Sequence, residues 1–160
     1  MVSSACTPRP EAQKKLEEWR SQGKRIVFTN GCFDLLHPGH IDYLQKARAL
    51  GDVLIVGLND DDSIRRLKGA TRPINPLPDR AIMLTALKSV DMVVPFPEDT
   101  PLDLIKSLIP DMLVKGGDYE PDSIVGAKEV RENGGKVIVI PFVNGHSSST
   151  LIARIRRLDA

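Results

Sequence analysis

The stretch Arg25 to His40, RIVFTNGCFDLLHPGH, sets the architecture of the whole chain. Arg25-Ile26-Val27-Phe28-Thr29 reads as a short apolar strand and Asn30-Gly31-Cys32-Phe33-Asp34 as its exit turn. His37-Pro38-Gly39-His40 then opens a helix, because proline has no N–H to lose in a first helical turn and its φ is preset. A helix start in that place offers free amides and the positive end of its dipole to an anion. His37 and His40 stand three apart, on neighbouring points of one helical face, so both rings can reach one ligand. The blander reading has one histidine capping the helix and the other packing in the core. It accounts for a single histidine better than for two that bracket Pro-Gly after a strand and a glycine turn.

Moving outward, β-rich runs alternate with helical patterns. Strands are predicted near Ile26–Thr29, Val53–Leu58, Met92–Pro95, Met112–Lys115 and Val137–Pro141. Helices are predicted over Glu11–Gln22, Gly39–Leu50, Asp61–Leu67, Pro78–Lys88, Leu102–Leu108, Ser123–Asn133 and Ser149–Leu158. Val53-Leu54-Ile55-Val56 is apolar on both faces, as a parallel strand covered by helices on either side must be. The fold class expected is α/β, a Rossmann-like doubly wound five-stranded parallel sheet with helices on both faces. In such sheets ligands bind beyond the carboxyl ends of the strands, where the winding reverses. Met1–Pro10 reads as a frayed end and Leu16 and Trp19 as the packing face of a first helix. Residues 1–23 are therefore taken as tail and helix, and residues 24–160 as one domain.

Composition narrows the function classes. A chain of 160 residues, 41% hydrophobic and 27% charged, matches a globular domain with an adequate core. A net charge of +1 gives no broad field for nucleic acid or an anionic membrane, so anion chemistry must come from a local cluster. One Trp, four Phe and two Tyr are a weak supply of stacking groups, which argues further against nucleic acid. Two cysteines, Cys6 and Cys32, do not make a disulfide framework and fit a reducing cytoplasm. No apolar run is long enough to span a membrane.

The remaining strand exits are where chemistry is expected. Gly31 permits close backbone approach and Asn30 presents an amide. The run Asn59-Asp60-Asp61-Asp62-Ser63 either holds a hydroxyl-rich substrate or caps a helix. Lys68 and Arg72 lie on a glycine- and proline-containing loop that either folds over a polyphosphate or is simply solvated. In Lys115-Gly116-Gly117-Asp118-Tyr119 the paired glycines suggest either that something packs against the backbone, a flat nucleobase being a candidate, or a hairpin-like turn. Past Phe142-Val143-Asn144-Gly145-His146, the hydroxyls Ser147-Ser148-Ser149-Thr150 exceed what one helix cap needs and suit a phosphate. Two helix N-termini would then converge on one polyphosphate.

These residues resemble the nucleotidyltransferase superfamily marked by an HxGH motif after the first strand and a Ser/Thr-rich motif opening the last helix. Arg72-Pro73-Ile74-Asn75-Pro76, Asp79-Arg80, Pro97-Glu98-Asp99-Thr100-Pro101 and above all Leu113-Val114-Lys115-Gly116-Gly117-Asp118-Tyr119 are similar to its branch of ADP-heptose adenylyltransferases. The resemblance covers about Lys24 to Arg157. It implies transfer of AMP from ATP to D-glycero-β-D-manno-heptose 1-phosphate for lipopolysaccharide core synthesis, with Mg²⁺ held mainly by the ATP phosphates, and self-association as a dimer or tetramer. In glycerol-phosphate relatives an Arg stands five residues ahead of the first Ser of the last motif. Phe142 holds that place here, which weakens a pairing of CTP with glycerol phosphate. Three rival readings stay open: transfer from CTP to glycerol phosphate, transfer from ATP to pantetheine phosphate, and a nucleotide-binding module without catalysis.

By the same resemblance, His37 and His40 act on the triphosphate, with His40 at the α-phosphate, and Lys46 reaches the sugar phosphate. Nucleotide binding falls to Thr29, Asn30, Gly31, Cys32, Phe33, Gly39, Lys115, Gly116, Gly117, Asp118, Phe142, Ser147, Ser148 and Ser149 together with the two histidines. Asp34, Asn59, Asp61, Lys68, Arg72 and Arg80 are expected at the acceptor or as counter-charges, with no protein site for a metal beyond Asp34 as the one carboxylate near it.

Overall fold

A computed structural model describes residues 5–158. Helix α1 (Arg9–Ser21) precedes strand β1 (Ile26–Gly31), helix α2 (Pro38–Arg48), strand β2 (Val53–Asn59) and helices α3 (Asp61–Lys68) and α4 (Leu77–Thr85). Strand β3 (Met92–Phe96), helix α5 (Leu102–Leu108), strand β4 (Met112–Gly116), helix α6 (Ala127–Glu132), strand β5 (Lys136–Ile140) and helix α7 (Ser148–Leu158) complete the order.

The five strands pair in parallel in the order β3-β2-β1-β4-β5. Alternation along each strand sends side chains to opposite faces. Ile26, Phe28, Ile55 and Val94 meet Leu16 and Trp19 of α1 and Leu104 and Leu108 of α5 on one face. Val27, Leu54, Val56 and Val93 meet Tyr43, Leu44 and Ala47 of α2 and Ala81 and Leu84 of α4 on the other. The doubly wound α/β class expected from the sequence is what forms. From β1 the chain winds to β2 and β3 on one side, then crosses to β4 and β5 on the other, so the winding reverses between β1 and β4.

Two expectations need correction. The frayed end does not extend to residue 10: Ala5 and Cys6 pack against the second core cluster, the Thr7 amide donates to the Val93 carbonyl at 2.8 Å, and α1 begins at Arg9. Residues 1–4 lie outside the described residues. The helix expected over Ser123–Asn133 is a 3₁₀ turn at Pro121–Ser123 followed by α6 from Ala127, because Gly126 takes φ 86° and breaks the run.

Candidate active site

Beyond the carboxyl ends of β1 and β4, at the reversal point, opens a cavity of about 390 Å³. The β1 exit, the start of α2, the β4 exit and the start of α7 all contribute to its wall. A second chamber of about 530 Å³ shares Asn30, Gly31, Cys32, Lys68, Lys115 and Tyr119 with the first and continues to Asn59, Asp99, Thr100 and Ser123. Both volumes suit small-molecule ligands.

Helix α2 starts at the motif as expected, with His37 in extended backbone at its N-cap and Pro38 inside the first turn. The His37 and His40 rings stack with centroids 3.8 Å apart. The His37 backbone N–H donates to His40 Nδ1 at 3.3 Å, so in the neutral ring the proton sits on Nε2, free for a ligand. Phe33, held at φ 44°, sets its ring 5.3 Å from that of His40. Burial, then the nearness of His37 and Lys68, push the His40 imidazole down to about 4. Burial and then His146 push His37 below its ordinary value as well. Two neutral donors therefore face the cavity at pH 7. His37 Nδ1 and Arg72 Nη2 are buried without a hydrogen-bond partner in the protein, a condition that an oxyanion would relieve.

Helix α7 brings Ser147, Ser148 and Ser149 to the same cavity. Ser147 Oγ accepts from the Thr150 amide at 3.0 Å, and Ser148 Oγ donates to the Leu35 carbonyl at 3.2 Å, which joins this end to the segment leading into α2. The two helix starts, with Asn30, Gly31, Cys32, Phe33, Gly39, Lys68, Arg72, Lys115, Gly116 and Phe142, line one space. Lys115 lies at the seam of the two chambers, 3.5 Å from Asn30 Oδ1, and burial lowers its ammonium below the usual lysine range against a small opposing effect of Cys32.

Several expected residues have other work. Arg80 is no counter-charge: fully buried, it donates to the carbonyls of Asn75, Cys32 and Asn59 and to Asp61 Oδ1, tying the β1 and β2 exits to the loop before α4. Asp61 accepts from that guanidinium and from the Leu77 amide, and Asp60 caps α3 through the Ser63 amide, so capping and bracing absorb the acidic run. Asn59 binds Ser63 Oγ and reaches only the second chamber. Asp34 lines the first cavity, yet its carboxylate is spent on the amides of Ile74 and Asn75 and on Arg72 Nε at 2.7 Å. Burial would raise its carboxyl, but those two amides and the guanidinium outweigh it and hold the group low. The Lys68–Pro78 loop is anchored there rather than simply solvated.

Lys46 does not line the cavity and pairs with Asp42 at 2.7 Å. Thr29 is buried behind it, its hydroxyl 2.6 Å from Tyr43 Oη. Gly117 and Asp118 also fall outside the lining. What packs on the double glycine is the chain's own Phe142: a Cβ on Gly116 or Gly117 would come within 2.7 or 2.9 Å of that ring. At Gly31 the atom in the way of a Cβ is likewise internal, Phe33 Cε2 at 2.9 Å. Tyr43, Tyr119, Val143 and His146 join the lining without having been singled out as site residues. Tyr43 was findable, since it stands one turn after His40 on the same face.

No side-chain cluster of three or more His, Cys, Asp or Glu able to hold a metal occurs among the described residues, and no helix among them is long and apolar enough to cross a membrane.

A family model described as "Cytidylyltransferase-like" matches residues 28–155. The chain is 55% identical over 148 residues to the bifunctional protein HldE of Haemophilus influenzae, covering 92% of this chain and 31% of that protein. It is 56% identical over 146 residues to the bifunctional protein HldE of Pectobacterium carotovorum, covering 91% and 30%. The chain thus spans about a third of the length of these relatives. Among solved structures, the lipopolysaccharide core biosynthesis protein from Thermoplasma volcanium superposes with a TM-score of 0.61 at 30% identity, over 76% of this chain and 98% of that one.

Proposed function

Since this chain belongs to the cytidylyltransferase-like family and is a nucleotidyltransferase, we propose that it transfers AMP from ATP to D-glycero-β-D-manno-heptose 1-phosphate, releasing pyrophosphate and forming ADP-heptose. The observation that carries the reading is the convergence of two helix N-termini, one bearing His37 and His40 and the other Ser147 to Ser149, on a single cavity. A triphosphate is long enough to use both, and free amides, dipoles and neutral donors are what it needs. The choice of heptose rests on the Leu113–Tyr119 resemblance, with support from the likeness to the HldE relatives and to the lipopolysaccharide core biosynthesis protein from Thermoplasma volcanium.

In this reading the triphosphate lies in the first cavity and the sugar phosphate enters from the second. An anionic oxygen of the sugar phosphate attacks the α-phosphorus, forming a new P–O bond as the bond from that phosphorus to the bridging oxygen of the β-phosphate breaks. The electron pair leaves on pyrophosphate, and no base has to remove a proton. Alignment and charge neutralisation supply the rate. His40 donates to the α-phosphate oxygens, the α7 amides and hydroxyls hold the leaving phosphates, Lys115 and Lys68 offset charge at the seam, and Arg72 does so within the first cavity. Asp34 already accepts from the Ile74 and Asn75 amides and from Arg72 Nε, so in this reading it holds the loop and is not assigned to a metal. A magnesium ion brought in on ATP would offset phosphate charge while needing few protein ligands, in keeping with how reluctantly it dehydrates.

The test is pyrophosphate release with ATP or CTP offered against heptose 1-phosphate, glycerol phosphate and pantetheine phosphate. ATP with heptose 1-phosphate is expected to be the fastest pair. A faster pair of another kind overturns the substrate assignment, and ATP binding without pyrophosphate from any pair overturns transfer itself.

A further inference from the structure

We propose that His146 is a third phosphate-binding imidazole of this site, carrying positive charge to the terminal phosphates of the nucleotide; the proposal rests on the nucleotide-binding reading above. His146 stands just ahead of α7, is exposed, and lines the first cavity. Its ring runs nearly parallel to that of His37, at 19° with centroids 6.3 Å apart, while His37 stacks on His40 at 3.8 Å. The three imidazoles form a row leading from the start of α2 to the start of α7. Gly39 makes the row possible, since a Cβ there would sit 3.0 Å from the His37 ring and 3.1 Å from His146 Cβ. No hydrogen bond to the protein fixes the His146 ring among the described residues, so its nitrogens are free for a ligand.

The charge around this row points the same way. The other titratable groups of the cavity are His37 at the N-cap of α2 and His40 within it, Lys68 at the end of α3, Arg72 on the loop after it, Lys115 of β4, Cys32, Tyr43 and Tyr119, with Asp34 as the one carboxylate, already paired to Arg72. Cations outnumber anions before any ligand arrives, and closely spaced imidazoles resist charging together. A polyphosphate reverses that balance, and the most accessible ring is the one placed to add a charge-assisted bond to it. Burial together with His146 holds His37 low, a sign that the two rings are within electrostatic reach.

The experiment is calorimetric ATP binding to the wild type, His146→Asn and His146→Lys at pH 6.5 and 8.5, with acceptor KM as the control. His146→Asn is expected to weaken ATP about tenfold at pH 6.5 and by less at pH 8.5, the worth of one charge-assisted bond. His146→Lys restores binding and makes it flatter with pH, and the acceptor KM stays put in both variants. Wild-type affinity in His146→Asn overturns the proposal, as does a His146→Lys protein that binds no better than His146→Asn. Binding does not require turnover, so a wild type that binds ATP yet releases no pyrophosphate defeats the transfer reading alone, and a wild type that does not bind ATP defeats both.

Discussion

Replacing Arg80 by Met separates a structural brace from a phosphate counter-charge. The guanidinium is fully buried and makes bonds of 3.0, 2.7, 2.9 and 2.7 Å to Asn75, Cys32, Asn59 and Asp61. Methionine fills much of the volume and donates nothing, leaving three carbonyls and one carboxylate without their donor. Removing one partner of a buried, hydrogen-bonded ion pair costs about 3–5 kcal/mol. The Asp61 side chain is 28% exposed and can rehydrate, which places the loss near the lower end, about 3 kcal/mol. At roughly 2–4 °C per kcal/mol for a chain of this size, the melting temperature should fall by about 6–12 °C. Differential scanning calorimetry measures that fall, and pyrophosphate release well below the transition measures the site. Turnover should drop too, since Cys32 and Asn59 frame the two chambers. A melting temperature within about 2 °C of wild type, with only ATP affinity weakened, would refute the bracing argument and restore the counter-charge.

Three further expectations come from the same geometry. Gly39→Ala pushes a methyl to 3.0 Å from the His37 ring, so a displacement of a few tenths of an ångström should lower turnover about tenfold while helix propensity keeps the melting temperature from falling; an unchanged rate would contradict the tight fit. The His40 imidazole is held at about 4 against 6.5, so folding is favoured fully above pH 6.5 and that contribution fades as pH falls toward 4. Allowing for its partial exposure, urea unfolding should show wild type losing about 2 kcal/mol more than His40→Gln between pH 7 and 4.5, and parallel losses would show the burial effect to be absent. Asp34→Asn should release the Ile74 and Asn75 amides to faster hydrogen exchange and cost about 2 kcal/mol, unless the loop is held by something other than this carboxylate.

The strands were legible because their apolar runs satisfy two buried faces at once, and α2 because Pro38 marks its start. The two helix starts that line the cavity were likewise visible in short motifs. Arg80 was not, since nothing in a sequence separates an arginine that enters the core from one that meets solvent; its role depends on three carbonyls brought together from distant turns. Lys46 could have been set aside at the outset: nine residues after His37, at about 3.6 per turn, put it on the opposite side of α2. The double glycine at 116–117 signals that something packs on the backbone; a nucleobase is the candidate read from the sequence, and the fold puts the chain's own Phe142 ring there.

The central claim is that the starts of α2 and α7 hold one triphosphate between them. A crystal structure with a non-hydrolysable ATP analogue tests it directly. The account expects phosphate oxygens within hydrogen-bond distance of the His37–His40 pair and of the Ser147–Ser149 segment in the same molecule of nucleotide. A triphosphate bound at only one of those ends, with the other facing water, would contradict it.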